Sequence, residues 1–300
     1  MGLVYLMRRL DRTASAKCYR WLVKTFFAST LLAAFIGIAA APPPDPFRFV
    51  ILGDRTGEAQ PGVYERVWRQ AAAESPAFVL SVGDTIQGLN DETAETEWRQ
   101  AQQILEPFRR FPLYLAAGNH DIWSEYSERL FQKYAKHPPH YSFDYEQAHF
   151  TVLDNSRSEE LSADELTFLE RDLQAHAAQP VKFIVSHRPS WLIGVILGNR
   201  QFPLHQAAKK YGVRYVIAGH VHQMLHIDLD GVTYLSMASS GGHLRASKKY
   251  EDGWFFGLTV VEVRGKEVSF QIKELGPPYG RARITAPKDW GNSGLIRPPA

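Results

Sequence analysis

Val213-Arg214-Tyr215-Val216-Ile217-Ala218-Gly219-His220-Val221-His222 holds, in miniature, both the fold and the chemistry of this chain. An apolar run that reads as a buried strand ends on a glycine, and two histidines follow two residues apart. In extended backbone, residues i and i+2 point the same way, so both imidazoles can face one point. A half-buried strand pair, with His226 extending the alternation, is the plainer alternative. Working outward, the same pattern recurs. Run 47–52 precedes Gly53-Asp54-Arg55-Thr56-Gly57, and run 78–82 precedes Gly83-Asp84. Run 113–117 precedes Gly118-Asn119-His120-Asp121, and run 181–185 precedes Ser186-His187-Arg188. A polar group just past a parallel strand lies on the rim where open α/β sheets bind ligands. Alone, Asp84 reads as a turn or helix N-cap and 118–121 as a plain loop. Five such blocks, each at a strand end, point to one shared site.

The segments between support a layered α/β fold. Residues 64–73, 93–105 and 123–134 have helical spacing, and strand–helix alternation predicts a sheet with helices on both faces. Residues 140–145 and 149–153 read as strands joined by a tight turn. Ser162 is the expected N-cap of a helix reaching about residue 177, with Glu165 completing a capping box. After His222 come short strands at 225–229, 232–236, 255–263 and 267–272, with Asp230-Gly231 and Arg264-Gly265 as hairpin turns. These antiparallel strands are expected to build a second sheet against the first.

Carboxylate, amide oxygen and imidazole are together the ligands of divalent transition metals. Two such ions about 3.5–4 Å apart can share one carboxylate, clamp a phosphate and acidify a water that becomes the nucleophile. Asp54 and Asp84 offer hard anionic oxygens, Asn119 a neutral one, and His187, His220 and His222 nitrogens. In this order the blocks resemble the calcineurin-like metallophosphoesterases, a family that includes purple acid phosphatases and bacterial phosphodiesterases. The resemblance covers about 47–242. It implies an α/β fold, a four-layer α-β-β-α sandwich of two packed mixed β-sheets flanked by helices. It also implies two transition-metal ions (Mn, Fe or Zn) and hydrolysis of phosphoesters by a metal-bound hydroxide in a dinuclear site. Carried over by position, Asp84 bridges the metals, Asp54 and His222 hold the first, and Asn119, His187 and His220 hold the second. His120 is placed near the leaving oxygen as general acid or phosphate ligand, with Asp121 orienting it.

One position departs from the family pattern: Thr56 stands where a metal-binding histidine is usual. The tyrosine that replaces that ligand in purple acid phosphatases corresponds here to Gln87. The first metal therefore has three evident protein ligands, with Gln87, Thr56 or water as a further one. This departure motivates a rival reading, a metal-impaired pseudoenzyme or phosphate-binding module of the same fold. Arg55 and Arg188 are candidate phosphate clamps, or else surface arginines. They tilt the expectation toward phosphomonoesters over phosphodiesters. Asn155, in the block Asp154-Asn155-Ser156-Arg157, and His243, after Ser239-Ser240-Gly241-Gly242, are candidates to line the substrate cleft. Trp123, Tyr126, Trp191 and Trp254 read as packing. His137, His140, His149, His176 and His205 show no partner spacing and read as structural.

Composition narrows the remaining possibilities. An apolar share of 45% is that of an ordinary globular protein. Residues 1–41 differ: six bases from Arg8 to Lys24 precede an uncharged apolar run ending in Ala39-Ala40-Ala41. This is the pattern of an export signal, with an uncleaved membrane anchor as the alternative. Met7 offers a second start, and Arg8-Arg9 fits twin-arginine export poorly. Without this leader the chain has 28 basic and 31 acidic residues, a formal net charge of −3. That leaves no basic surplus for nucleic acid. The one cysteine, Cys18, is also in the leader. The expected organisation is leader 1–41, Pro-rich linker 42–46, metallophosphoesterase domain 47–275 and Pro/Gly-rich tail 276–300. The expected partner is a small-molecule or protein phosphoester, the expected location periplasmic or extracellular, and any membrane contact is through the leader.

Overall fold

The computed structural model describes residues 45–290. The leader with Cys18, linker residues 42–44 and tail residues 291–300 lie outside the described residues. In chain order the elements are β1 (Phe47–Leu52), α1 (Val63–Ala73), β2 (Val79–Ser81), α2 (Asp91–Leu105), β3 (Leu113–Leu115), α3 (Glu125–Ala135), β4 (Tyr141–Tyr145) and β5 (Ala148–Val152). There follow α4 (Ala163–Ala175), β6 (Val181–Val185), α5 (Leu192–Ile196), α6 (Pro203–Tyr211), β7 (Tyr215–Ala218), β8 (Leu225–Leu229) and β9 (Val232–Ser236). Last come β10 (Gly257–Arg264), β11 (Glu267–Glu274) and β12 (Ile284–Thr285). The strands form two sheets, ordered β12-β11-β10-β1-β2-β3 and β4-β5-β6-β7-β9-β8. In the first, β1, β2 and β3 are parallel and β10, β11 and β12 continue antiparallel. In the second, β5, β6, β7 and β9 are parallel between antiparallel edges β4 and β8.

Strand periodicity explains the layers. Phe47, Phe49 and Ile51 of β1 point into the core between the sheets, whereas Val50 and Leu52 meet Val63, Val67 and Trp68 of α1. In β7, Tyr215 and Ile217 face the central core, and Val216 and Ala218 face Leu169 and Leu173 of α4. Both faces are buried, so these strands read as unbroken apolar runs rather than alternating ones. Aromatic rings lock the sheets together. Phe49 stacks on Phe78 at 4.8 Å and meets Phe150 and Phe183 edge-on at 5.3 and 5.6 Å. The result is the expected α/β architecture of two mixed sheets flanked by helices.

Three details correct the sequence reading. The C-terminal strands do not form a sheet of their own. The β8–β9 hairpin completes the second sheet, while β10 pairs with β1, Val50 opposite Val260, and completes the first. Ser162 caps α4 by accepting from Glu165 N–H (3.1 Å), but no reciprocal capping box forms. The Glu165 carboxylate instead accepts from Asp154 N–H (2.9 Å) and binds His140. A capping box exists at α3, between Ser124 and Ser127, which starts that helix at Glu125 rather than Trp123. The first part of the tail hugs the domain: β12 pairs with β11, and Trp290 packs on Tyr250 and Phe255. Among the described residues, no helix is long and apolar enough to cross a membrane.

Candidate metal centre

The parallel strands of both sheets end at one rim. Asp54 follows β1, Asp84 follows β2, Asn119 follows β3, His187 follows β6, and His220 and His222 follow β7. Close backbone approach brings these loops together. The His220 N–H donates to both oxygens of Asp54, at 2.8 and 3.1 Å, tying the second sheet to the first. A Cβ on Gly219 would lie 2.5 Å from Asp54 Oδ1, and one on Gly118 would lie 2.2 Å from Asp84 Oδ1. Only glycine permits either approach. Asp84, His220 and His222 themselves adopt left-handed backbone, with φ of 56°, 67° and 60°. Such strain in non-glycine residues persists where the surroundings over-determine it.

Two ligand sets result. Asp84, His187 and His220 offer ligand atoms within 4.8 Å of one another, and so do Asp54, Asp84 and His222. Asp84 is common to both. His187 Nε2 lies 3.3 Å from Asp84 Oδ1, 3.0 Å from Asn119 Oδ1 and 3.2 Å from His220 Nδ1. His222 Nε2 lies 3.4 Å from Asp54 Oδ2. Tautomers are set from behind: His187 Nδ1 binds the Val82 carbonyl (2.8 Å) and His222 Nδ1 binds the His243 carbonyl (2.7 Å). Both rings therefore present Nε2 to the centre, as metal-binding imidazoles do when a carbonyl holds the other nitrogen. Asp84 Oδ2 and His222 Nε2 are buried with no hydrogen-bond partner. Buried polar atoms are ordinarily paired, so this donor set fits metal ions.

The electrostatics agree. Burial alone would raise Asp84, but His187 and His120 hold it well below the usual carboxylate range. Burial opposes charge on His187, yet Asp84 and Asp54 push it up to about 9. Burial, His187 and Arg188 take His220 down to about 4. Carboxylates that favour charge on a buried imidazole would likewise favour a cation between them.

The other expected site residues divide. The His120 backbone meets the centre, its amide N–H donating to Asp84 Oδ1 (2.9 Å), while its ring Nδ1 engages the Gln87 carbonyl. Arg188 also reaches the centre, its guanidinium 3.3 Å from His220 Nε2 and paired with Glu159. Arg55 does not. It donates to the Thr85 carbonyl (2.7 Å) and lies 5.6 Å from the centre of the Tyr64 ring. Asp121 does not orient the His120 ring. Its carboxylate accepts from Thr85 N–H (2.8 Å), Ile86 N–H (3.2 Å) and Gly118 N–H (3.0 Å), clamping the Asp84 loop to the Asn119 loop. Burial and the Asp84 charge push it up to about 7 against the pull of those donors.

Asn155 is buried beneath the site. Its Oδ1 accepts from His187 N–H (3.1 Å) and Arg188 N–H (3.0 Å), and its Nδ2 donates to the Arg188 carbonyl (2.8 Å). His243 contributes its carbonyl to His222, and its ring binds the Gly57 carbonyl. Both candidate substitutes for the missing histidine have other hydrogen-bond partners. Thr56 donates to the Ile86 carbonyl (2.7 Å), and Gln87 accepts from Glu58 N–H (3.1 Å). Sequence reasoning missed the support given by Ser240, whose hydroxyl accepts from Gly53 N–H (2.8 Å) and whose N–H donates to the Asp54 carbonyl (3.0 Å). The doubled serine and glycine after β9 were the available signal.

Comparison with known proteins places this rim in a family. The chain is 23% identical over 249 residues to human tartrate-resistant acid phosphatase type 5, covering 64% of this chain and 74% of that one. It is 26% identical over 205 residues to a probable cyclic nucleotide phosphodiesterase of Moraxella catarrhalis, covering 59% and 72%. Its fold superposes on yellow lupin purple acid phosphatase PPD1 with a TM-score of 0.61 at 16% identity. That match covers 81% of this chain and 53% of the lupin protein. Residues 47–224, which carry every ligand described above, match the family model for the calcineurin-like phosphoesterases. The chain belongs to that family and is a metallophosphoesterase, a hydrolase of phosphoric esters.

Proposed function

We propose that this protein hydrolyses phosphomonoesters at a dinuclear metal centre. Asp54, Asp84 and His222 would hold one transition-metal ion, and Asp84, Asn119, His187 and His220 the other. The observation that carries this reading is the buried carboxylate of Asp84, shared by both ligand sets and with one oxygen free of any partner. Two ions held there would offset phosphate charge and acidify a water. The protein's own groups do the rest. His120, with Nδ1 engaged by the Gln87 carbonyl, has Nε2 free to carry a proton to the leaving oxygen. Arg188 offers a planar donor fork at the edge of the site. The substrate is a small-molecule or protein phosphoester rather than nucleic acid, and the leader directs the chain to the periplasm or outside.

The test is a panel of nitrophenyl mono- and diesters assayed with manganese, iron or zinc, using Asp84→Asn as control. Faster monoester turnover that the control loses supports the proposal. Turnover of no ester with any metal overturns it. The committed Thr56 hydroxyl favours one second reading, a binding module that has lost the first ion. Metal analysis against the Asp84→Asn/His222→Asn variant separates the two: wild type holds about two ions per chain more than the variant if it is the enzyme, one or none more if it is the module.

A further inference from the structure

A second group of metal-ligating side chains lies at the other end of the second sheet. Asp144 and His149 are directly opposite each other in the β4–β5 hairpin, and His176 is the C-cap of α4. His149 is the second residue of β5, whereas Asn155, under the phosphoesterase centre, lies beyond that strand's C-terminal end. The strand separates the two clusters. Phe150 and Val152 face the central core, so His149 faces outward toward α4.

We propose that Asp144, His149 and His176 form a second, independent binding site for a transition-metal ion of the zinc class. One oxygen and two nitrogens from these residues lie within 4.8 Å of one another. The two imidazole rings stack at 3.9 Å with 14° between their planes. Asp172 holds both rings from behind. Its Oδ2 lies 2.9 Å from His149 Nε2, and its backbone carbonyl lies 2.8 Å from His176 Nδ1. With Nε2–H and Nδ1–H so engaged, His149 Nδ1 and His176 Nε2 are the nitrogens turned toward Asp144, and an ion bound there would displace the proton that His149 Nδ1 shares with that carboxylate. His149 Nδ1 is 2.7 Å from Asp144 Oδ1, and His176 Nε2 is 3.9 Å from Asp144 Oδ2.

Such rear contacts orient an imidazole toward a metal, and because the two rings are nearly parallel the partly exposed His176 ring would turn out of the stack for both to meet one ion. Asp172 is fixed in turn by the hydroxyls of Ser142 (2.7 Å) and Thr151 (2.6 Å). Two imidazoles and a carboxylate suit zinc, copper or nickel. The Asp144 side chain is 44% exposed and that of His176 31%, which leaves room for entry and for water as a further ligand. The end of α4 adds the negative pole of a helix. The neighbouring Lys182 turns its ammonium to the Gln179 carbonyl (2.7 Å).

The test uses the full chain and zinc. Equilibrium dialysis at low-micromolar free zinc, with elemental analysis, would compare wild type, His176→Ala and Asp144→Asn. The same substitutions would be repeated in an Asp84→Asn/His222→Asn background. The expected result is that the background protein keeps about one zinc per chain, lost on adding His176→Ala. Wild type should exceed His176→Ala by about one ion, with ester hydrolysis unchanged. That difference reads the site even if the background variant does not fold. Equal zinc content in wild type, His176→Ala and Asp144→Asn would overturn the proposal and leave the cluster an ion-pair network.

Discussion

Replacing Asn155 by alanine separates two roles that would otherwise look alike. The side chain makes three hydrogen bonds, all to the backbone of His187 and Arg188. Net worth is about 0.5–1.5 kcal/mol for each bond. Water entering the vacated polar space recovers part of the sum, so Asn155→Ala should cost about 2–3 kcal/mol of stability. His187 also loses the fixed loop that aims it, and loss of such outer support typically weakens metal binding about 10–100-fold. Urea unfolding of the metal-free protein, zinc competition with a chelator and steady-state kinetics read the three quantities. Lower stability and weaker metal binding, with KM little changed at saturating metal, is the expected outcome. A raised KM with stability and metal affinity untouched would refute the argument and make Asn155 a substrate ligand.

Three further outcomes follow from the same geometry. Gly118→Ala forces a Cβ to within 2.2 Å of Asp84 Oδ1, so it should cost about 3 kcal/mol or more and reduce bound metal, read by melting and metal analysis. Phe49→Ala removes a ring packed on four others between the sheets and should cost about 3–5 kcal/mol by urea unfolding. Burial holds the His205 imidazole below its usual range against the pull of Asp230. The folded state therefore favours the neutral ring, and its stability falls as pH drops below the ordinary histidine value of 6.5. Between about pH 7.5 and pH 5, wild type should lose more stability than His205→Gln, and equal losses would contradict this.

The strand runs and their glycine-led polar blocks were legible because local physics dictates both. A strand buried on two faces must be apolar throughout, and a ligand at its end needs a sharp turn. Hence the six candidate ligands that the structure gathers at one rim were already singled out in the chain. What escaped depends on distant partners. Nothing near Val260 says that it pairs with Val50 rather than joining a separate sheet. Asn155 read as lining the cleft and Asp121 as orienting His120, because acceptors of backbone N–H groups have no sequence signature. Asp144, His149 and His176 share no period, and only the hairpin register and the end of α4 bring them together.

The place of β1 sets an order on assembly. It leaves the ribosome first among the described strands, yet its neighbour β10 is made some two hundred residues later. The Asp54 loop likewise waits for Ser240. Until then β1 is an apolar strand with one open edge, a template for pairing with other chains. Under the proposed function, metal loading at Asp54 would thus be a late event, and a chain cut short before β10 would present a sticky edge in place of a complete rim.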